Sequence, residues 1–207
     1  MGVFIMKNTK MVMVLILCMT FFFVFSCASS GEGGSGLGPG VLATGEWMVY
    51  NDENDKGDSS AELAILEEER NGEKVTVYHV KGNVTTKFQY GFAGWGINSD
   101  EETLERLKTC KAVSFWIEGD GQTYSIKFKT SNITDYGYFE YRFNTEKGVP
   151  LLIEVPVGFF MQPSWAATAR RNLGLCTGVE WQTHESWRRD PRVNPFEIKT
   201  WGFKIHQ

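Results

Sequence analysis

Apolar and polar residues alternate along most of the chain from residue 45 onward. Val113, Phe115 and Ile117 fall on one side of such a segment, with polar residues and a tryptophan between them. This period of two is typical of half-buried β-strands. Trp201, Phe203 and Ile205 are expected to share a strand face in the same way. Further segments of this kind lie at 62–68, 74–80, 124–129, 139–143 and 151–157.

Turn residues separate several of these segments. Gly119-Asp120-Gly121 predicts a hairpin between 113–118 and 124–129, and Asn71-Gly72 predicts another between 62–68 and 74–80. The segment 62–68 is rich in Ala, Leu and Glu, so helix is the alternative by propensity. One short helix is expected at Glu101–Lys108. The pattern predicts an all-β domain, an antiparallel β-sandwich of jelly-roll type.

The composition supports a folded, β-rich chain and argues against nucleic acid as a partner. Hydrophobic residues make up 42% and aromatic residues 14% of the 207 positions, which excludes a disordered polypeptide. Twenty-two glycines and the many aromatic residues favour strands over a helical bundle. A net charge of −4 lacks the basic footprint of a nucleic-acid-binding protein.

The N-terminus has the pattern of a bacterial lipoprotein signal. Lys7 and Lys10 precede an apolar run that ends at Ser26-Cys27, so residues 1–26 are predicted to be a signal peptide and Cys27 the lipidated residue. An uncleaved anchor is the alternative, although the run is shorter than the ~20 residues that a spanning helix needs. Residues 27–44 form a Gly/Ser-rich tether, and 45–207 form the folded domain. The expected location is the bacterial cell envelope, periplasmic or surface-exposed.

Two cysteines belong to the predicted domain. Cys110 and Cys176 are far apart in sequence. The sequence does not decide whether they form a disulfide, because the distance between their Cα atoms cannot be derived from it.

Several separated motifs together resemble one family. The motifs are GEW at 45–47, KGDSS at 56–60, YGFAGWG at 90–96, VSFWIEGDG at 113–121 and VPV at 155–157. In this order they are similar to the galactose-binding-like jelly rolls, which include the complex I intermediate-associated protein 30 domain and family 11 carbohydrate-binding modules. The resemblance implies a two-sheet jelly roll, often with structural calcium, and a concave face that holds a glycan in sugar-binding members; other members act through protein contacts.

Aromatic side chains are the candidate sugar-stacking groups, because flat rings offer large contact areas at low conformational cost. Tyr136 and Tyr138 are predicted to lie on one strand face, opposite Phe139, Tyr141 and Phe143. Polar neighbours would fix the orientation of the sugar. The candidate ligand-binding residues are Tyr136, Tyr138, Asp135, Arg142, Trp95, Tyr124, Gln162 and Trp165. For each aromatic residue, packing in the core is the alternative.

The segment 51–59 is dense in oxygen ligands. Calcium takes six to eight oxygens, and Asp52 and Asp58 are the first candidate ligands for a structural ion. The spacing is not that of an EF-hand loop, and a solvated acidic turn is the alternative.

The segment 165–192 is rich in arginine and tryptophan. Five arginines in this segment, together with Trp181 and Trp187, suggest either a protein interface or a surface for anionic glycans, and a solvated loop is the alternative. The arginines are Arg170, Arg171, Arg188, Arg189 and Arg192.

The sequence contains no HExxH, GxSxG or P-loop motif, and we expect no enzymatic activity. The leading hypothesis is a lipid-anchored, non-catalytic carbohydrate-binding module, with membrane contact through Cys27. A module that binds an envelope protein is the alternative, and a polysaccharide hydrolase is a weaker one.

Overall fold

A computed structural model describes residues 37–189 and 194–207. The described part contains eleven strands and one α-helix. The strands are β1 (Gly40–Leu42), β2 (Gly45–Asn51), β3 (Ser60–Arg70), β4 (Glu73–Asn83), β5 (Phe92–Ser99), β6 (Ala112–Glu118), β7 (Thr123–Thr130), β8 (Phe139–Asn144), β9 (Pro150–Pro156), β10 (Cys176–His184) and β11 (Pro195–His206). The helix α1 spans Glu101–Lys108, as predicted, and the Asp100 side chain caps its N-terminus by accepting from Thr103 N–H.

The strands form two antiparallel sheets. One has the order β3-β4-β11-β6-β9, with β1 added beside β11. The other has the order β2-β5-β10-β7-β8. Buried side chains of both sheets meet in one core, so the predicted antiparallel β-sandwich is confirmed. The sheet begins at Gly40, five residues before the predicted start of the domain, because Val41 and its neighbours pair with the end of β11.

Trp181 of β10 is the centre of that core. Its ring stacks on Trp47 and Trp95, with centroids 5.4 and 6.2 Å away. Phe115 and Phe203 of the opposite sheet meet it edge-on at 5.4 and 5.1 Å. Both geometries are favoured for aromatic pairs, so this cluster joins the two sheets.

The predicted hairpin at 119–121 is wrong. The strands that flank it, β6 and β7, belong to different sheets. The segment instead crosses from one sheet to the other, and Asp120 fixes it by accepting hydrogen bonds from Gln122 N–H and the Tyr124 hydroxyl. A short Gly-Asp-Gly turn permits a hairpin, but it does not determine whether the strand after the turn pairs with the strand before it.

The expected common face of Trp201 and Phe203 is also wrong. A bulge at Gly202, where φ is 61°, shifts the register of β11 against β6. Trp201 therefore lies on the outer face beside Trp116, with ring centroids 6.0 Å apart, whereas Phe203 points into the core.

Cys110 and Cys176 are both buried free thiols. Burial raises the pKa of Cys110 to about 12 and that of Cys176 to about 11. Each thiol donates to a nearby backbone carbonyl, at Ala112 and Gly178 respectively. The two cysteines therefore do not form the disulfide that the sequence left undecided.

The predicted signal peptide, Cys27 and the predicted tether up to residue 36 lie outside the described residues. Among the described residues, no helix is long and apolar enough to cross a membrane.

Candidate functional site

The outer face of the five-stranded sheet carries a floor made of two lines of mostly polar residues. Residues directly opposite in neighbouring antiparallel strands share a face. Along one such line across the sheet stand Met48, Gly96, Glu180, Lys127 and Glu140. The line beside it contains Tyr50, Gly94, Gln182, Ser125 and Arg142. We call this surface the sheet groove.

Two glycines lie in the middle strand region of the sheet groove. Gly94 and Gly96 place no side chain on the outer face of β5, while Trp95 between them points into the core. The Tyr50 ring occupies the space over Gly94, where a Cβ atom would overlap it, and its hydroxyl donates to Trp181 O at 3.1 Å. Burial, followed by the charges of Glu180 and Glu140, raises the pKa of Tyr50, so this phenol stays protonated.

Neighbouring side chains hold the charges of the floor in place. Arg142 donates to Glu140 Oε1 from Nε at 2.8 Å and from Nη2 at 2.6 Å. Lys129 pairs with Glu180 at 3.0 Å, and the Lys127 ammonium donates to Gln182 Oε1. Such paired groups are oriented before a ligand arrives, which lowers the entropic cost of binding.

Lys127 lies between the two carboxylates of its line. Burial lowers its pKa, while the charges of Glu140 and Glu180 act in the opposite direction. The floor thus presents acceptors and donors in alternation and has nearly balanced charge. Sugar hydroxyls need both kinds of partner.

Trp187 and His184 form one wall of the groove. The Arg142 guanidinium lies 4.2 Å from the centroid of the Trp187 ring, and the His184 ring is 5.4 Å from the same centroid. Burial, then the charges of Lys127 and Arg142, lower the pKa of His184 to about 4. The imidazole is therefore neutral at physiological pH, and its Nδ1 accepts from Ser186 N–H at 3.1 Å.

A double loop, formed by residues 135–138 and 162–169, lies beside β8. Asp135 accepts from Gly137 N–H at 3.0 Å and from Ala167 N–H at 2.7 Å, and these two bonds lower its pKa. Gln162 donates to the carbonyls of Gly137 and Ala167 and accepts from Ala169 N–H. Asp135 and Gln162, predicted as ligand-binding residues, thus hold the double loop together.

The double loop presents two exposed aromatic rings. Tyr136 is 75% exposed and Trp165 is 66% exposed. Their neighbours Gly137 and Ala166 touch so closely that a Cβ atom at Gly137 would overlap the Ala166 side chain. The two rings therefore project from abutting segments, and both keep the accessible surface that stacking on a sugar requires.

Other predicted site residues lie elsewhere than expected. Trp95 and Tyr124 are fully buried in the core, so neither ring is open to a ligand. Tyr138 is only 8% exposed, and burial raises its pKa. It does not share a strand face with Tyr136, because β8 begins after it and Tyr136 has a φ of 63°. Arg142 is the predicted residue that lies on the groove floor.

Asp52 and Asp58 do not fit the expected calcium ion. Asp52 is fully buried and accepts from Ser59 N–H, the Ser59 hydroxyl and Phe92 N–H. Asp58 accepts from the Thr85 hydroxyl and faces the Lys87 ammonium at 3.9 Å. The partners named here are hydrogen-bond donors and an ammonium group, and none of them is a second carboxylate that would help to bind a cation. Across the described ranges, no group of three or more His, Cys, Asp or Glu side chains is placed to hold a metal.

The Arg/Trp-rich segment does not form one surface. Trp181 is in the core, and Arg188 is buried, donating to Pro195 O at 2.7 Å and facing Asp120 at 3.5 Å. Arg171 donates to Phe160 O at 3.0 Å. Arg192 lies outside the described residues. Reversing the charge of Arg188 would therefore perturb folding as well as any partner.

Sequence reasoning missed most of the groove floor. Its residues are widely separated along the chain, and only strand pairing brings them together. They are Tyr50, Lys127, Glu140, Glu180 and Gln182. One local signal was available: in Gly94-Trp95-Gly96, a large core residue alternates with glycines, so this strand places no side chain of its own on the outer face at these two positions.

Comparisons with known proteins agree with this architecture. The family model described as Complex I intermediate-associated protein 30 (CIA30) matches residues 41–177. A search among curated proteins finds no match. Among solved structures, the family 11 carbohydrate-binding module of the cellulase Lic26A-Cel5E of Clostridium thermocellum superposes with a TM-score of 0.52 at 15% identity, covering 81% of this chain and 94% of the module. This likeness shows the fold.

Two further solved structures are more distant. An exo-beta-agarase has a TM-score of 0.46 at 11% identity, over 80% of this chain and 25% of the agarase. A family 29 carbohydrate-binding module has a TM-score of 0.36 at 12% identity, over 72% of this chain and 88% of the module.

Proposed function

Since the chain belongs to the complex I intermediate-associated protein 30 family and has a carbohydrate-binding-module fold, we propose that it binds a glycan chain, without catalysis, in the sheet groove. The supporting observation is the pre-oriented floor of Glu180, Lys127 and Glu140 beside the exposed rings of Tyr136 and Trp165. The floor supplies hydrogen bonds to hydroxyl groups, and the rings supply apolar contact to pyranose faces.

The proposed setting is the bacterial cell envelope. The signal-like residues 1–26, Cys27 and the Gly/Ser-rich stretch that follows favour a lipid-anchored domain on a flexible tether. Such a tether would let the groove reach polysaccharide near the membrane surface.

The test is a glycan array followed by isothermal titration calorimetry on the purified full chain. We expect Glu180→Gln to weaken binding of the best glycan about tenfold, since one charge-assisted hydrogen bond is lost. Replacing both Tyr136 and Trp165 by alanine should weaken it at least as much. Ile65→Ala, which removes an exposed apolar side chain from the other sheet, is the matched control. If neither Glu180→Gln nor the Tyr136 and Trp165 double variant changes the affinity, the sheet groove is not the binding site.

A further inference from the structure

A cavity adjoins the sheet groove at the outer edge of β8, the last strand of its sheet. This edge pocket has a volume of about 280 Å³. The pocket is continuous with the sheet groove at Met161. Met161 and Glu140 exchange two backbone hydrogen bonds of 2.9 Å, so their side chains lie on the same outer face. The residues that line the edge pocket are Glu140, Tyr141, Arg142, Phe159, Met161, Gln162 and Pro163.

One wall of the edge pocket is apolar. Phe160 is fully buried and packs on Phe128 with ring centroids 4.4 Å apart. Because the backbone at Phe160 is extended, its neighbours Phe159 and Met161 point away from the core. They are 64% and 66% exposed, and Pro163 adds further apolar surface. Adjacent large apolar side chains in solvent mark a place where apolar ligand surface can be buried.

The opposite wall offers one acceptor and one donor. Within the described part of the chain, the side-chain hydrogen bonds to Glu140 all end on Oε1, so Oε2 keeps its capacity to accept. The Arg142 guanidinium lies over the Trp187 ring, and the Arg142 side chain is 48% exposed, so part of its guanidinium remains open to a ligand carbonyl.

An acetamido group matches this arrangement. Its methyl group suits the wall of Phe159 and Met161, its N–H suits the Glu140 carboxylate, and its carbonyl suits Arg142. A plain hydroxyl would leave the apolar wall uncovered. A ligand carboxylate would meet the negative charge of Glu140 as well as the positive charge of Arg142, and the repulsion would cancel much of the attraction.

We infer that the edge pocket is an acetamido subsite, so that the glycan bound in the sheet groove contains N-acetylated amino sugars. This inference rests on the proposed function and adds a substrate class to it. The groove would hold the sugar backbone, and the edge pocket would select chains that carry N-acetyl groups.

The experiment compares two tetrasaccharides that share the same β-1,4-linked backbone and differ only at C2. They are the tetramer of N-acetylglucosamine and the tetramer of glucose, titrated calorimetrically into the purified full chain. We expect the N-acetylated tetramer to bind about tenfold more tightly, from the buried methyl group and the added hydrogen bonds. The de-N-acetylated tetramer should lose that advantage.

A double variant, Phe159→Ser with Met161→Ser, assigns the preference to the edge pocket. It should lower affinity for the N-acetylated tetramer about tenfold and leave the glucose tetramer unchanged. Leu152→Ser, an exposed apolar position on the other sheet, is the matched control. Circular dichroism of each variant confirms that it is folded.

The outcomes separate the two proposals. Equal affinity for both tetramers would overturn the acetamido subsite and leave glycan binding in place. A preference that survives in the double variant would also overturn it. If folded protein binds no oligosaccharide, both proposals fail. Binding of the full chain to phosphatidylcholine vesicles that requires Phe159 and Met161, without an N-acetyl preference, would assign the apolar wall to a membrane instead.

Discussion

At the scale of single residues, Asp52 and Asp58 lie in the same acidic segment but differ in their structural roles. Asp52 is fully buried and receives three hydrogen bonds: two from Ser59 close the 52–59 turn, and one from Phe92 N–H joins the turn to β5. Asp58 is largely exposed and bonds to Thr85 at the surface. A sequence shows both as members of one acidic run, because burial depends on which segment packs over the turn.

We therefore expect Asp52→Ala to destabilise the fold far more than Asp58→Ala. The first change leaves buried donors at Ser59 and Phe92 unsatisfied, which costs about 3 kcal/mol of unfolding free energy. The second, at the surface, should change it by less than about 0.5 kcal/mol. Urea unfolding of both variants measures the difference. Equal losses, both reversed by added calcium, would instead restore the metal-site interpretation.

His184 is expected to make the stability of the fold depend on pH. Burial and the nearby positive charges lower its pKa to about 4 in the folded protein. Because the unfolded imidazole binds a proton near its ordinary pKa of about 6.5, the unfolded state holds more protons between these values. Stability should thus fall as the pH drops from about 6.5 to about 4, by on the order of 1–2 kcal/mol after solvent screening.

The measurement is urea unfolding at pH 7.0 and pH 4.5 for the parent protein and His184→Asn. Asparagine keeps an acceptor for Ser186 N–H but does not titrate. Carboxylates also titrate in this range, so the difference between the two proteins isolates the imidazole. A loss of the same size in both would show that His184 does not contribute.

At the scale of secondary-structure elements, local signals predicted what depends on local geometry. The helix at Glu101–Lys108 and the Asn71-Gly72 hairpin follow from capping and turn residues close to them. The Gly119–Gly121 segment and the Gly202 bulge were mispredicted, because partner strands distant in sequence decide them. Strand periodicity also failed at Tyr138, just before the first residue of β8.

The hairpin turn provides a test of that local geometry. Asn71 and Gly72 have φ values of 54° and 82°, as a two-residue type I′ turn requires. Gly72→Ala should cost about 1 kcal/mol, because an L-residue is strained at this φ although no atom lies near its Cβ. Gly158→Ala has equally open space and no positive φ, so it should be neutral. Equal effects on thermal unfolding would contradict a backbone origin.

At the scale of the whole molecule, the sequence predicted the sandwich but only part of the candidate site. Tyr136 and Trp165 were candidate sugar-stacking rings on the same footing as Tyr138, Trp95 and Tyr124, and Arg142 was a polar candidate. The structure leaves Tyr136 and Trp165 exposed and buries the other three rings. The floor required knowledge of the order of strands, since Tyr50, Glu180 and Lys127 come from three strands far apart in sequence. A core ring such as Trp95 and an exposed ring such as Tyr136 have the same chemistry, and only packing distinguishes them.

The proposed function of the whole chain also depends on its proposed attachment to the cell envelope. If Cys27 receives the lipid, Cys27→Ser should move the protein from the detergent-rich to the aqueous phase in Triton X-114 partitioning and abolish palmitate labelling. The acyl chains would provide the membrane affinity, because two chains anchor stably where one binds only marginally. Cys18→Ser, within the predicted signal, is the control and should change neither result. A Cys27→Ser variant that stays in the detergent phase would favour an uncleaved apolar anchor, and glycan binding in the groove would then be tested on that anchored form.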